Sequence, residues 1–365
     1  MSNDKEILFV AFDAGGGTVL LPILRKILHE KKDYRCIVVA GGPAKRLFET
    51  DHAASKLPIY GSSDNESISK KHRIKLVVSG TGISGFETEV WRFWQARNVP
   101  VFSVIDGWNK LNERYILPSG EKAVTDYIGV PDREAKQSLE GCGFPPSRIH
   151  VVGQPYLESL AHDIMVEKGK RKGLRSRLGI PDGTFAILFA SEQFGPGYDY
   201  GYNEYDVLKE IVSACSMLSA GGLKPELVIK FHPEEKRDKY DSFQFPRNFM
   251  TKILKDDIPP RDAIASADLV CGSTSIILLE SFMFGTPTLS IQPGLNVEDN
   301  CRASQLHLIP LLCRRGELGV LLSDVLVKKK KTFEAAGLGK KPVFEKGATD
   351  RIIKLIDSIL SGNHG

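Results

Sequence analysis

Leu227-Val228-Ile229-Lys230-Phe231-His232-Pro233-Glu234-Glu235 is an apolar run that empties into polar residues. About forty residues later Asp268-Leu269-Val270-Cys271-Gly272-Ser273-Thr274-Ser275 repeats the pattern. That spacing is one βα unit of chain, so the two polar endings read as neighbouring loops at one edge of a parallel sheet. Such an edge is where α/β folds bind nucleotides.

Working outward, short apolar runs alternate with helical patterns along the whole chain, the signature of parallel sheets covered by helices. Strands are expected at Ile7 to Phe12, Cys36 to Ala40, Lys75 to Ser79, Val101 to Ile105 and His150 to Val152. A second set is expected near 184–190, 226–231, 249–254, 268–271 and 286–291. Between the sets, Pro155 to Arg177 is rich in charge and marks a domain junction by composition. The expected fold is α/β, with two Rossmann-like domains facing a cleft. They span 1–165 on the acceptor side and 166–345 on the donor side. A closing segment, 346–365, holds an amphipathic helix that carries Ile352, Ile353, Ile356 and Ile359 and is expected to close the fold by packing on a domain, crossing back to the first. Val90, Phe93, Trp94 and Arg97 recur at helical spacing and read as core packing.

At 365 residues, with 42% hydrophobic and 26% charged residues, the chain has the composition of an ordinary globular protein with two cores. A net charge of +4 gives no reason to expect nucleic acid as a partner. Six scattered cysteines lack metal-finger spacing and read as reduced thiols. No apolar run reaches the ~20 residues needed to span a bilayer, and the polar start leads straight into a strand, so a cytoplasmic location is expected. Lys328, Lys329, Lys330 and Lys331 form a basic run that reads as a solvated face or as a weak contact with an anionic membrane.

Chemistry concentrates at the strand ends. Gly272-Ser273-Thr274-Ser275 precedes a helix, whose first amides point outward and favour anions, so the hydroxyls complete a phosphate cradle; the alternative is an ordinary helix cap. Glu280, on that same helix among apolar neighbours, is placed to hold a ribose, unless it is simply an exposed helix residue. Lys230 and His232 stand two apart on a strand and face one anion, with Pro233 ending the run; His232 can also donate a proton as a phosphate departs.

In the first half, Asp13-Ala14-Gly15-Gly16-Gly17 opens a helix expected from Val19 to His29, either as a ligand-binding turn or as a tight βα turn. Gly80-Thr81-Gly82 with Glu87, and Asp106-Gly107-Trp108, are further loops after strands. Asp106, Asp13 and Glu87 are the acids that can take a proton from an acceptor hydroxyl, Asp106 being the first choice because it directly ends a strongly apolar strand. Gly15, Gly16, Gly17, Thr81, Glu87 and Trp108 are candidates for contact with acceptor or sugar, although Trp108 reads equally as a buried residue with a bonded indole.

With these residues in view, the second half resembles the nucleotide-binding domain of the two-domain GT-B glycosyltransferases and of the related UDP-N-acetylglucosamine 2-epimerases. Lys230-x-His232-Pro233 and Ser273-Thr274-Ser275 look like the His-Pro and Ser/Thr motifs of bacterial CMP- and CDP-dependent surface-polymer transferases. The run Ala267 to Pro287 is similar to the epimerase and lipid-A-disaccharide-synthase pattern. The likeness covers nearly the whole chain in architecture and residues 226–290 in motifs. It implies that Lys230, His232, Pro233 and Gly272 to Ser275 hold nucleotide phosphates and that Glu280 holds the ribose. Epimerases carry a Gly pair where Thr274-Ser275 stands here, and an Arg-Pro-Glu turn where Asp13-Ala14-Gly15 stands.

The resulting expectation is a metal-independent glycosyltransferase that moves a sugar from a nucleotide-sugar donor to a carbohydrate or lipid-linked acceptor in surface-polymer synthesis, with no cofactor beyond the donor. Catalysis would fall to Asp106, Asp13 and His232. A nucleotide-sugar epimerase is the first alternative, and a non-catalytic nucleotide-binding protein the second.

Overall fold

The computed structural model describes residues 5–31, 33–117, 119–194, 199–233, 235–255, 257–329, 332, 334–338 and 346–362, and for 161–169 the backbone alone. The chain divides into two compact units, Met1–Ser159 with Phe344–Gly365, and Leu160–Val343.

The first unit is built on a seven-stranded sheet. Its strands are β1 (Lys5–Ala11), β2 (Tyr34–Ala40), β3 (Ile59–Tyr60), β4 (Ile74–Ser79), β5 (Val101–Val104), β6 (Tyr127–Val130) and β7 (Ile149–Val151), in the order β3-β2-β1-β4-β5-β6-β7. Every pairing is parallel; Phe9 stands opposite Val38, and Leu8 opposite Val77. Both faces are buried, as a parallel sheet requires. Ile7, Phe9 and Ala11 of β1 enter one core with helix Ala14–Glu30, while Leu8 and Val10 enter the opposite core with helix Phe86–Gln95. In the latter helix Val90, Trp91 and Trp94 are buried and Phe93 is half-buried against the Arg97 guanidinium, so Trp91 joins the aromatic stripe that the sequence suggests.

The second unit has a six-stranded parallel sheet. It contains β8 (Phe185–Ala190), β9 (Pro225–Lys230), β10 (Met250–Ile253), β11 (Leu269–Gly272), β12 (Thr288–Ile291) and β13 (Leu311–Leu312), ordered β10-β9-β8-β11-β12-β13. Phe189 pairs with Ile229 on one side and Cys271 on the other. The charge-rich stretch expected as a junction is a helix, Pro155–Leu178, beginning in the first unit and ending in the second. There Arg171 and Arg175 reach Asp268 at 2.6 and 3.0 Å.

Helix Ala348–Ser361 returns to the first unit, where Ile352, Ile353, Ile356 and Ile359 join the core that contains Phe9 and Val38. Lys328 and Lys329 are exposed, and Lys328 pairs with Asp324 at 3.3 Å; Lys330 and Lys331 lie outside the described residues. No helix among the described residues is long and apolar enough to cross a membrane.

Candidate active site

In each sheet the strand order reverses between two neighbours, β1 and β4 in the first and β8 and β11 in the second. Connections leaving those neighbours part company, which opens a crevice at their carboxyl ends. The sequence candidates fall at or beside these two places.

At the first, Asp13 follows β1, Thr81 and Gly82 follow β4, and Asp106 follows β5. Glu87 sits in the first turn of helix Phe86–Gln95, and its residue surface is 0% exposed. The Phe12 amide donates to Glu87 Oε1 at 2.9 Å, while Oε2 is buried with no hydrogen-bond partner among the described residues. A methyl added at Gly82 would fall 2.5 Å from Asp13 Oδ2 and 3.0 Å from Glu87 Oε2, so both oxygens face one bare Cα. Burial, with the charges of Asp13 and Asp106 adding to it, pushes the Glu87 carboxyl up to about 7.

Asp106, the third acid, is paired with Arg114, whose Nη1 also donates to the Thr81 carbonyl at 3.1 Å and hydroxyl at 2.9 Å. Gln154 holds the Asp106 carbonyl at 2.7 Å. Arg114 thus ties the loops after β4 and β5 into one unit. The Trp108 indole donates to Asp132 at 2.6 Å, so the ring is anchored by a bonded nitrogen.

The glycine run needs correcting. Helix Ala14–Glu30 already includes Gly15, Gly16 and Gly17, five residues before the expected start at Val19, and the Gly17 amide bonds the Asp13 carbonyl at 3.0 Å. Its glycines serve close approach. Gly16 lies against Gly80, Gly17 against Ala44 and Leu47, and Gly15 against the Asp106 carboxylate. A methyl at Gly80 would stand 2.6 Å from the Gly16 Cα. Gly80→Ala is therefore expected to cost about 1–3 kcal/mol through overpacking, read as a lower midpoint in urea. An unchanged midpoint would show that the helix can retreat from β4 at no cost.

At the second crevice the Ser-Thr-Ser triplet opens helix Ile276–Met283, and its three hydroxyls have three different fates. Ser273 Oγ meets the Tyr202 hydroxyl at 2.5 Å, Thr274 Oγ1 donates to Glu192 at 2.6 Å, and Ser275 Oγ caps the Ile277 amide at 3.4 Å. The cap reading thus holds for Ser275. The amides of Ser273, Thr274 and Ser275 converge on Glu192 Oε1 at 3.0, 2.7 and 2.8 Å. A cradle for an anion is therefore formed, and the anion within it is the chain's own carboxylate. Burial raises the Glu192 pKa, opposed by the Thr274 hydroxyl and the three amides.

Lys230 is buried at the end of β9, while His232 and Pro233 are exposed just past it. Glu235, whose side chain is fully buried, receives the His232 amide at 2.6 Å and the Ser191 hydroxyl at 2.8 Å, joining the loops after β9 and β8. Lys239 adds a bond to the Glu192 carbonyl at 2.7 Å. Glu280 is buried in the helix that the cradle opens, and Gly272 ends β11 just before the cradle. Among the described residues, no group of three or more His, Cys, Asp and Glu side chains is arranged to hold a metal ion.

Sequence reasoning missed Glu192, Tyr202 and Arg114. Only Glu192 carried a signal, its place two residues past a buried strand.

No family model matches the sequence, and no curated protein matches it. Solved structures do. A provisionally assigned UDP-N-acetylglucosamine 2-epimerase of Listeria monocytogenes aligns with a TM-score of 0.71 at 14% identity, over 99% of this chain and 98% of that one. The UDP-N-acetylglucosamine 2-epimerase of Neisseria meningitidis, solved with UDP-N-acetylglucosamine bound, aligns at 0.69 and 12% identity, over 97% and 100%. A variant of the wall teichoic acid polymerase TagF aligns at 0.59 and 12% identity, over 99% and 90%. Across essentially its full length, then, the chain has the two-unit α/β fold of the GT-B type that these proteins share.

Proposed function

We propose that this chain is an enzyme acting on a nucleotide-activated sugar, and that its reaction is epimerisation at C2 of a UDP-N-acetylhexosamine. The observation that carries this reading is the grouping of Asp13, Glu87 and Asp106 at one edge of the first sheet, after β1, β4 and β5, with Glu87 poised at about 7. Inverting C2 takes its proton from one face while the C1–O bond to UDP breaks, so the electron pair of the C–H bond becomes a C1–C2 double bond and UDP leaves as the anion. UDP then re-adds at C1 as a proton returns to the other face of C2. Two groups in opposite protonation states are then needed near neutral pH. Glu87 serves as one, and Asp13 or Asp106 as the other. Transfer to an acceptor needs a single base, so the clustering of acids favours epimerisation over the transfer expected from the His-Pro and Ser/Thr motifs.

The second unit supplies the nucleotide site in this reading. Amides of residues 273–275 and the Thr274 hydroxyl receive a phosphate, Lys230 and His232 add positive charge and hydrogen bonds, and Glu280 takes the ribose. Two of the epimerase-named neighbours point to the same substrate class, one having been solved with UDP-N-acetylglucosamine bound. Sugar transfer is the second reading, favoured by the likeness to a polymerase.

Incubation with UDP-N-acetylglucosamine alone in deuterium oxide tests the choice. The C2 epimer carrying deuterium at C2 is expected by NMR. Unchanged donor in that tube, with sugar transfer once a saccharide acceptor is added, would replace epimerisation by transfer.

A further inference from the structure

We infer that Glu192 is a resident competitor for the phosphate site, a carboxylate that a bound nucleotide must displace. The inference rests on the phosphate reading above. Three amides and one hydroxyl make up the cradle, and Glu192 engages all four donors, Oε1 taking the amides and Oε2 the Thr274 hydroxyl. A phosphate oxygen that accepted the same amides would occupy the position of Oε1. The two anions exclude each other.

The surroundings fit an exchange confined to the side chain. Lys239 holds the Glu192 carbonyl, and the neighbouring Ser191 is tied through its hydroxyl to Glu235 and Tyr240, each at 2.8 Å. With the backbone pinned, rotation of one side chain clears the cradle without moving the loop. Glu192 as a residue is partly exposed while its carboxylate, seated in the cradle, is desolvated, and a carboxylate held so gains hydration when it leaves. A phosphate brings more oxygens and more charge to the same dipole and amides, which lets it win the exchange.

The cost of this arrangement is affinity. Apparent binding is reduced by the fraction of molecules whose cradle is open, and a minor state of 0.1–10% lowers it by roughly 10- to 1,000-fold. Removing the competitor returns that factor. Glu192 then sets the donor concentration at which the enzyme fills.

Calorimetry of the full chain with UDP, CDP and CMP tests the inference, comparing wild type with Glu192→Ala and Glu192→Gln. Glu192→Ala is expected to bind at least tenfold tighter. Glu192→Gln keeps a carbonyl oxygen for the amides but loses the charge, and is expected to fall between the two. Melting without ligand shows whether each variant is folded, and Glu192→Gln keeps the comparison available should Glu192→Ala fail to fold. Equal or weaker binding by folded variants would overturn the inference and leave the phosphate reading standing. No binding of any nucleotide by wild type or by the folded variants would overturn both.

Discussion

Glu87→Gln is expected to lower turnover by ~10²-fold or more while making the protein more stable at pH 8. The two effects have one cause, the burial of a carboxyl whose Oε2 has no partner among the described residues and whose neighbours include Asp13 and Asp106. For activity, the amide cannot exchange a proton, and general acid-base groups contribute about 10²- to 10⁴-fold. For stability the sign follows from proton linkage. Below the ordinary value of 4.5 the carboxyl is protonated folded or unfolded. As pH rises from there the unfolded chain ionises while the folded one keeps its proton, so stability falls until about 7. Beyond that the penalty levels off at about 3 kcal/mol. Glutamine keeps an oxygen for the Phe12 amide and escapes the penalty. Melting curves at pH 5 and pH 8 should show the variant gaining on wild type mainly at the higher pH, and its rate profile should lack the limb that breaks near 7 in wild type. An active variant, or one destabilised equally at both pH values, would remove Glu87 from the chemistry and from the buried acid cluster.

Ending the chain after Lys346 is expected to unfold the first unit. Helix Ala348–Ser361 contributes Ile352, Ile353, Ile356 and Ile359 to the core shared with β1 and β2. At about 1.5–3 kcal/mol for each fully buried side chain, the loss is on the order of 6–12 kcal/mol, comparable with the whole stability of a domain. Polar anchors go as well. Glu158 receives the Thr349 amide at 3.0 Å, Arg351 donates to the Val152 carbonyl at 3.0 Å, and Asp357 accepts from Lys31 at 2.8 Å and Tyr34 at 2.5 Å. Loss of the cooperative melting of the first unit, with protease cleavage confined to residues before 160, is the expected result. Unchanged melting would mean that the four isoleucines are dispensable to that core.

The long apolar runs announced themselves because a strand buried on both faces has no reason to alternate with polar residues. β1, β2, β8 and β9 were legible for that reason. β3 and β13 have two residues each, too few to form a pattern, and Tyr127-Ile128-Gly129-Val130 of β6 is interrupted by a glycine. The early start of the first helix was hidden by Gly15, Gly16 and Gly17, which local propensity disfavours in a helix and which tertiary contact with Gly80 rewards. Glu192 shows the other limit. Its donors lie about eighty residues away, and that meeting exists only once β8 and β11 are neighbours. The sequence placed acids near the strand ends without ranking them; the orphaned oxygen of Glu87 and the Arg114 partner of Asp106 now distinguish them.

The return of helix Ala348–Ser361 has a consequence for synthesis. The second unit is spelled out whole between residues 160 and 343, whereas the first waits for Ile352, Ile353, Ile356 and Ile359 until that unit has been made. Domains generally fold as units while the ribosome adds ~5–20 residues per second, so nearly two hundred residues translate into a delay of about 10–40 s. For that interval the core that contains Phe9 and Val38 lacks the four isoleucines that complete it. The earlier half of the message is thereby the later half of the fold, and the nascent first unit is the form of this protein most in need of a chaperone.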